Sequence, residues 1–441
     1  MKIVPQAGSQ SHTIEVVSNK TVLPNGIRIV TEEIPYVRSV SVGVWVNVGS
    51  RDESTKKNGI SHFVEHMVFK GTQHYRMRQI AQSLESVGGY LNAFTTKENT
   101  CYYARVPDEH LPKAIGILSD LVLYARFDAK ELDKEKQVVL EEIKNIEDDP
   151  DDLIHDHFDK NLFPKHSLGF PVIGTSESIS ELTQSDLFGH LRKHYVPGRM
   201  VVAVAGNLKH KTVVELVKRH FEIASTHGGR LQRAQASKHS YKKIEVRVEK
   251  PIAQAHICLG TIAYGVKSRR RYPLLVLNTL LGDGMSSRLF QNIREKYGFA
   301  YNIYSFSNFL SDTGNFGVYI GTDRKHIDNC IELIHKELNK LSAKPVSSSE
   351  LKRTRTQIKG NMLLGLENMS SRMMRLGSGE LYFGDCVPLS AIIERIDSVT
   401  AGDLLETASS LFDFDRFTTV VFKPSEADRE SVPSRNSLNI R

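Results

Sequence analysis

The residues of this chain best suited to chemistry are His62, Glu65 and His66, in the run Gly59-Ile60-Ser61-His62-Phe63-Val64-Glu65-His66-Met67. On a helix, residues four apart lie about 40° apart around the axis and one turn along it. His62 and His66 would then project from one face, close enough to share a metal ion. Glu65, three residues after His62, falls on nearly the same face. The set offers two neutral nitrogen ligands and a carboxylate that need not bind the metal. Hydrolytic zinc chemistry needs such a set: an open Lewis acid and a base for its water. Taken alone, the five residues fit an ordinary helix equally well.

A catalytic zinc usually takes three protein ligands. The next candidates lie in Glu131-Leu132-Asp133-Lys134-Glu135-Lys136-Gln137-Val138-Val139-Leu140-Glu141-Glu142-Ile143. Leu132, Val139, Ile143 and Ile146 form an apolar stripe at helical spacing. Glu135 and Glu142 are two turns apart and share a face. H-x-x-E-H followed by this pair resembles the pitrilysin-type (M16) zinc peptidases, of the inverzincin type. The resemblance implies one Zn2+ per chain, with Glu142 as third ligand after His62 and His66. It implies Glu135 as a supporting carboxylate and a metalloendopeptidase with Glu65 as general base.

These residues must be positioned by a sizeable fold. The 441 residues suit two domains rather than one core, and 40% hydrophobic with 25% charged residues describes a globular chain. The net charge of +7 is spread over the chain, with no basic cluster interleaved with aromatics, so nucleic acid is not an expected partner. Four widely spaced cysteines with no C-x-x-C read as reduced, buried thiols. The start, Met1-Lys2-Ile3-Val4-Pro5-Gln6, lacks a signal-peptide h-region, and no apolar run reaches membrane-span length. The expected location is the bacterial cytoplasm, or the mitochondrial matrix if a transit peptide has been removed.

In chain order, Asn25-Gly26 marks a hairpin turn, and Val40 to Val48 alternates with period two as a strand. Helix-like 78–87 ends at Gly88-Gly89, two strands fill 90–106, and helices follow at 111–124 and 131–149. A helix at 187–194, a buried strand at 200–206 and a helix at 212–221 close the first half. Residues 225–243 read as a linker. The order then repeats: strand 253–264, helix 272–281, strands 300–309 and 313–321, helices 327–341 and 348–366, strand 418–422. The expectation is an α+β fold of two homologous domains, each an antiparallel sheet with packed helices, facing each other as a clamshell. Residues 1–224 would form the metal domain and 244–441 the second. Only the first copy carries H-x-x-E-H.

The M16 resemblance runs from about Leu23 to Phe422 and implies further roles. Arg294 and Tyr301, in Ser287-Arg288-Leu289-Phe290-Gln291-Asn292-Ile293-Arg294-Glu295-Lys296-Tyr297-Gly298-Phe299-Ala300-Tyr301, match an Arg/Tyr pair that reaches the substrate at the zinc. Asn92 and Ala93, in Asn92-Ala93-Phe94-Thr95, match an edge strand to which substrate peptide adds. Asp152 and Asp156 match acidic positions that face a substrate arginine, although by composition they read as a solvated helix end. Length and linker look most like bacterial relatives of the mitochondrial processing peptidase β subunit. Leu280-Leu281-Gly282-Asp283-Gly284-Met285-Ser286 has only two glycines, unlike the glycine-rich loop of that subunit's partner. A homodimer is therefore expected, with a heterodimer as alternative and peptides or unfolded proteins as substrates. The rival reading is a catalytically silent structural subunit of the same fold, like the complex III core proteins. Its members typically lose the metal residues, which are all present here.

Overall fold

A computed structural model describes residues 18–222, 233–236 and 242–425. The linker expected at 225–243 lies mostly outside these residues.

The first half runs β1 (Ser18–Val22), β2 (Arg28–Glu33), β3 (Ser39–Val46), α1 (Ile60–Val68), α2 (Met77–Glu85), β4 (Tyr90–Thr95), β5 (Thr100–Pro107), α3 (Leu111–Leu123), α4 (Ala129–Asp148), α5 (Pro150–Leu162), α6 (Ser176–Glu181), α7 (Gln184–His194), β6 (Met200–Gly206) and α8 (His210–His220). The second runs β7 (Ile244–Lys250), β8 (Ala255–Ala263), α9 (Arg271–Gly282), β9 (Ala300–Phe309), β10 (Gly314–Thr322), α10 (Ile327–Ala343), α11 (Ser348–Gly365), α12 (Met369–Phe383), α13 (Leu389–Ser398), α14 (Ala401–Leu411) and β11 (Thr418–Pro424).

The expected hairpin is present: β1 and β2 pair antiparallel around Gly26, whose φ of +97° an L side chain rarely adopts. The first sheet has the order β1-β2-β6-β3-β5-β4 and the second β7-β11-β8-β10-β9. One parallel pair occurs in each, β2 with β6 and β7 with β11; the other neighbours are antiparallel. Apart from the extra edge strand β1, the sheets share one topology, as duplication requires. The fold is α+β, with two homologous sheet-plus-helix domains facing each other.

Sequence periodicity does not reveal how the halves are joined. Pro150 and the capping Asp149, whose side chain accepts from the Asp151 N–H, start α5 one residue after α4 ends. Leu153, Ile154, Phe158 and Leu162 of α5 then pack on the second sheet, against Cys258, Tyr319, Val420 and Phe422. In return, Met373 and Leu376 of α12 pack on the first sheet, against Val30, Trp45, Val201 and Ala203. Each half thus lends a helix to the other's sheet. Two glycines make the approach of α12 close enough: a Cβ at Gly43 would collide with the Met373 sulfur, and one at Gly377 with the Trp45 indole. Charges pin both exchanged helices. Glu32, 1% exposed, pairs with Arg372 and Arg375, and Glu380 with Lys20. Asp151 on α5 lies 2.7 Å from His256 Nδ1. Beside them, Arg51 is bidentate to Asp312 of the second half (2.6 and 2.8 Å) and bonds Glu98 (2.7 Å). The cysteines are free; three are buried and Cys386 is half-buried.

Candidate metal centre

Helix α1 is amphipathic in the sense the spacing demands. Ile60, Ser61, Phe63, Val64, Met67 and Val68 are buried, which turns His62, Glu65 and His66 to the opposite, half-buried side. Helix α4 starts at Asp128, whose side chain accepts from the Lys130 N–H, and buries Leu132, Glu135, Val139 and Ile143. The two helices pack together, which brings Glu135 and Glu142 to the histidines.

One donor atom from each of His62, His66 and Glu142 lies within 4.8 Å of the others; among the described residues this is the one such cluster found. The imidazole centroids are 4.6 Å apart. His66 Nε2 is 3.7 Å from Glu142 Oε2. Its other nitrogen, Nδ1, donates to Glu135 Oε1 at 2.8 Å, and Lys70 Nζ holds Glu135 Oε2 at 2.5 Å. A carboxylate accepting from Nδ1–H fixes the tautomer and leaves the Nε2 lone pair free. His62 Nδ1 and Glu142 Oε2 are buried without a hydrogen-bond partner in the protein. Buried polar atoms normally find one. Tetrahedral zinc with N and O ligands at about 2.0–2.2 Å sets its donors about 3.4 Å apart. Two imidazoles and a carboxylate with donor atoms within 4.8 Å of one another, one pair at 3.7 Å, and two buried atoms without a hydrogen bond, fit that ion.

The electrostatics of His62 agree. Burial, then the neighbouring His66, pushes His62 down to about 3, so it is neutral at pH 7 as a ligand must be. Burial also pulls His66 down, but Glu135, Glu142 and Glu65 outweigh it and the net shift is upward. Burial raises Glu65, opposed by the hydroxyl of Thr95, which donates to Glu65 Oε2 at 2.5 Å. Burial opposes ionisation of Glu135 too, but the bonds from His66 and Lys70 win and its carboxyl is held below the usual range.

Thr95 lies on β4, an outer strand of the first sheet that pairs with β5 alone. Asn92 and Ala93 are on the same edge; the Asn92 side chain accepts the Ala93 N–H at 2.8 Å and donates to the Tyr90 hydroxyl at 2.6 Å. On α5, Asp152 is exposed and Asp156 half-buried, one turn apart. Burial raises Asp156, with Lys97 opposing. Asp156 also lines a cavity of about 520 Å³ with Ile143, Ile146 and Glu147 of α4, next to Glu142 in sequence.

Arg294 and Tyr301 make contacts within the second half. Arg294, on a short π-helical turn, stacks over Phe290 at 4.7 Å. Tyr301 is the second residue of β9, is 53% exposed, and its hydroxyl donates to Asp323 at 3.2 Å. Sequence reasoning missed Lys70 and Thr95. Lys70 follows His66 by one turn, a signal that was readable. Thr95 meets Glu65 only through the sheet, so nothing local pointed to it.

A two-domain fold with a His-His-Glu cluster beside a further glutamate defines a class of zinc-type hydrolases, and sequence comparison agrees with it. Residues 28–176 match the family model "Insulinase (Peptidase family M16)", and residues 181–358 match "Peptidase M16 inactive domain". The chain belongs to the M16 peptidase family. It is 41% identical to the uncharacterized zinc protease YmxG of Bacillus subtilis (strain 168) over 91% of this chain and 97% of that one. It is 40% identical to the uncharacterized zinc protease SCO5738 of Streptomyces coelicolor over 88% and 86%. A protease from Helicobacter pylori shares the fold with a TM-score of 0.86 at 24% identity, covering 93% of this chain and 100% of that one. No helix among the described residues is long and apolar enough to cross a membrane.

Proposed function

We propose that this chain is a zinc-dependent metalloendopeptidase that cleaves peptides or presequence-like segments in a chamber. The single observation that carries the reading is the cluster of His62, His66 and Glu142 with Glu65 beside it on α1. Residues 1–224 form the catalytic domain, 225–243 the linker and 244–441 the second domain. His62, His66 and Glu142 hold one zinc, which supplies Lewis acidity toward water and a peptide carbonyl. Glu135 orients His66 through Nδ1. Substrate adds as a strand along β4, passing Asn92 and Ala93, with sequence-tolerant backbone pairing. Glu65, held by Thr95, takes the proton from the attacking water and delivers it to the departing amine. Arg294 holds a substrate carbonyl, and the Tyr301 phenol donates to the developing oxyanion. Both are exposed and belong to the second half, from which they would reach across the chamber to the substrate; a homodimer of active chains is part of the same reading. Asp152 and Asp156 favour a basic residue near the cleaved bond. The similarity to bacterial proteins named zinc proteases supports the activity.

The test is metal analysis with a peptide-cleavage profile on purified protein. We expect about one zinc per chain, lost together with hydrolysis in His66→Ala. Full zinc and full activity in that variant would end the reading.

A further inference from the structure

Helix α1 begins in an unusual way for a helix that carries ligands. Its capping position is Gly59, at φ +87°, with no side chain to satisfy the first N–H groups. Gly59 is also pressed against Gly174, where a Cβ would come within 2.7 Å of the Gly174 Cα, so no capping residue fits there. Glu53 supplies the missing acceptors from a distance. Its Oε2 accepts from the Gly59 N–H (2.7 Å) and Asn58 Nδ2 (3.0 Å), and its Oε1 from the Ser61 N–H (2.8 Å). Ser61 immediately precedes His62. Asn58 is held on its other side too, by donating to the Pro171 carbonyl at 2.9 Å. The loop that carries Glu53 is itself fixed. Asp52 is bidentate to Arg233 at 2.9 Å, and Arg51 bonds Glu98 and Asp312.

We propose that Glu53 is a positioning residue that sets the direction and depth of α1 and so the affinity of its histidines for metal. This rests on the zinc reading above. A carboxylate that receives backbone N–H groups makes short, charge-assisted bonds and also meets the positive end of the helix dipole. Its two oxygens hold both sides of the first turn, so the helix cannot pivot there. His62 sits in that turn. Glu53→Gln keeps the size but turns one acceptor into a donor facing N–H donors. Glu53→Asp keeps the charge but retracts it by one methylene.

The test measures zinc dissociation constants of the full-length protein by competition with a chromophoric chelator, together with thermal midpoints. Thr400→Ala serves as control, because it removes the cap of α14 in the second half, where Thr400 accepts from the Asp403 N–H. We expect zinc affinity to fall in the order Glu53, Asp, Gln, with a loss of about 10-fold or more for Gln. Thr400→Ala should lower the midpoint and leave zinc affinity unchanged. Wild-type affinity in Glu53→Gln, or equal losses in Glu53→Gln and Thr400→Ala, would overturn the proposal. Should the Gln variant not fold, wild-type affinity in Glu53→Asp overturns it equally. Absence of zinc binding in the wild type would instead refute the underlying metal site.

Discussion

The sharpest test of the proposed chemistry is Glu65→Gln. The side chain is half-buried, with one oxygen at 2.5 Å from the Thr95 hydroxyl, and it is not among the three clustered donors. The amide oxygen of glutamine can still accept from Thr95, so the side chain should stay in place. Only the capacity to carry a proton is lost. General base and acid work of this kind contributes about 10²–10⁴-fold, which is about 2.7–5.4 kcal/mol of barrier at 1.36 kcal/mol per tenfold. Turnover of an internally quenched peptide should fall by that factor while KM and zinc content hold. Zinc is measured by atomic absorption on the same preparation. A loss of less than about tenfold with full zinc would show that another group moves the proton. A loss of zinc would show that Glu65 belongs to the ligand set.

Arg294→Ala and Tyr301→Phe should each lower kcat about 10²-fold without changing zinc content; unchanged cleavage in both would remove the second domain from the reaction. The pair Asp152→Asn with Asp156→Asn should raise KM for arginine-containing peptides about fivefold, a modest effect because Asp152 is exposed; an equal change for neutral peptides would make the pair scaffold. Acid stability offers a test away from the metal. Burial, then His194 and Lys193, pushes His190 down to about 3, and burial holds His194 near the same value. Both are neutral when folded, whereas unfolded histidines protonate below about 6.5. Stability is therefore full above that pH and is lost as pH falls toward 3, by about 1.4 kcal/mol per histidine at pH 5.5. His190 Nε2 has no partner, so His190→Phe should fold and should lose about that much less between pH 7.5 and 5.5 in urea titrations. An unchanged pH slope would refute the argument.

Helices α1 and α4 were legible because helical spacing is local. His62, Glu65 and His66 lie within two turns, and the stripe through Leu132, Val139 and Ile143 fixed the face of Glu135 and Glu142. The strands and the duplication were legible for the same reason: period two in Val40 to Val48, and one order of elements occurring twice. Contacts closed by tertiary structure were not. The apolar side of α5 predicts burial but not beneath which sheet. Residues 369–411, which hold α12, α13 and α14, drew no expectation at all, because Gly377 and the arginines of α12 make sense only against Trp45 and Glu32. Glu53 reaches α1 through a loop that has no repeating pattern.

The exchange of helices sets a problem of timing. A ribosome delivers the amino end first, and domains usually fold as they emerge. Here the first sheet is complete once β6 has left the tunnel, yet the face that holds Val30, Trp45, Val201 and Ala203 stays bare until α12 is made, more than 160 residues later. The face of the second sheet waits in the opposite sense: α5 is ready early, but its platform closes only with β11, the last strand of the described chain. The nascent protein therefore carries an uncovered apolar sheet face while the residues between β6 and α12 are made. A chain ending after α8 would leave that surface without the helix that covers it, since Met373 and Leu376 would be missing.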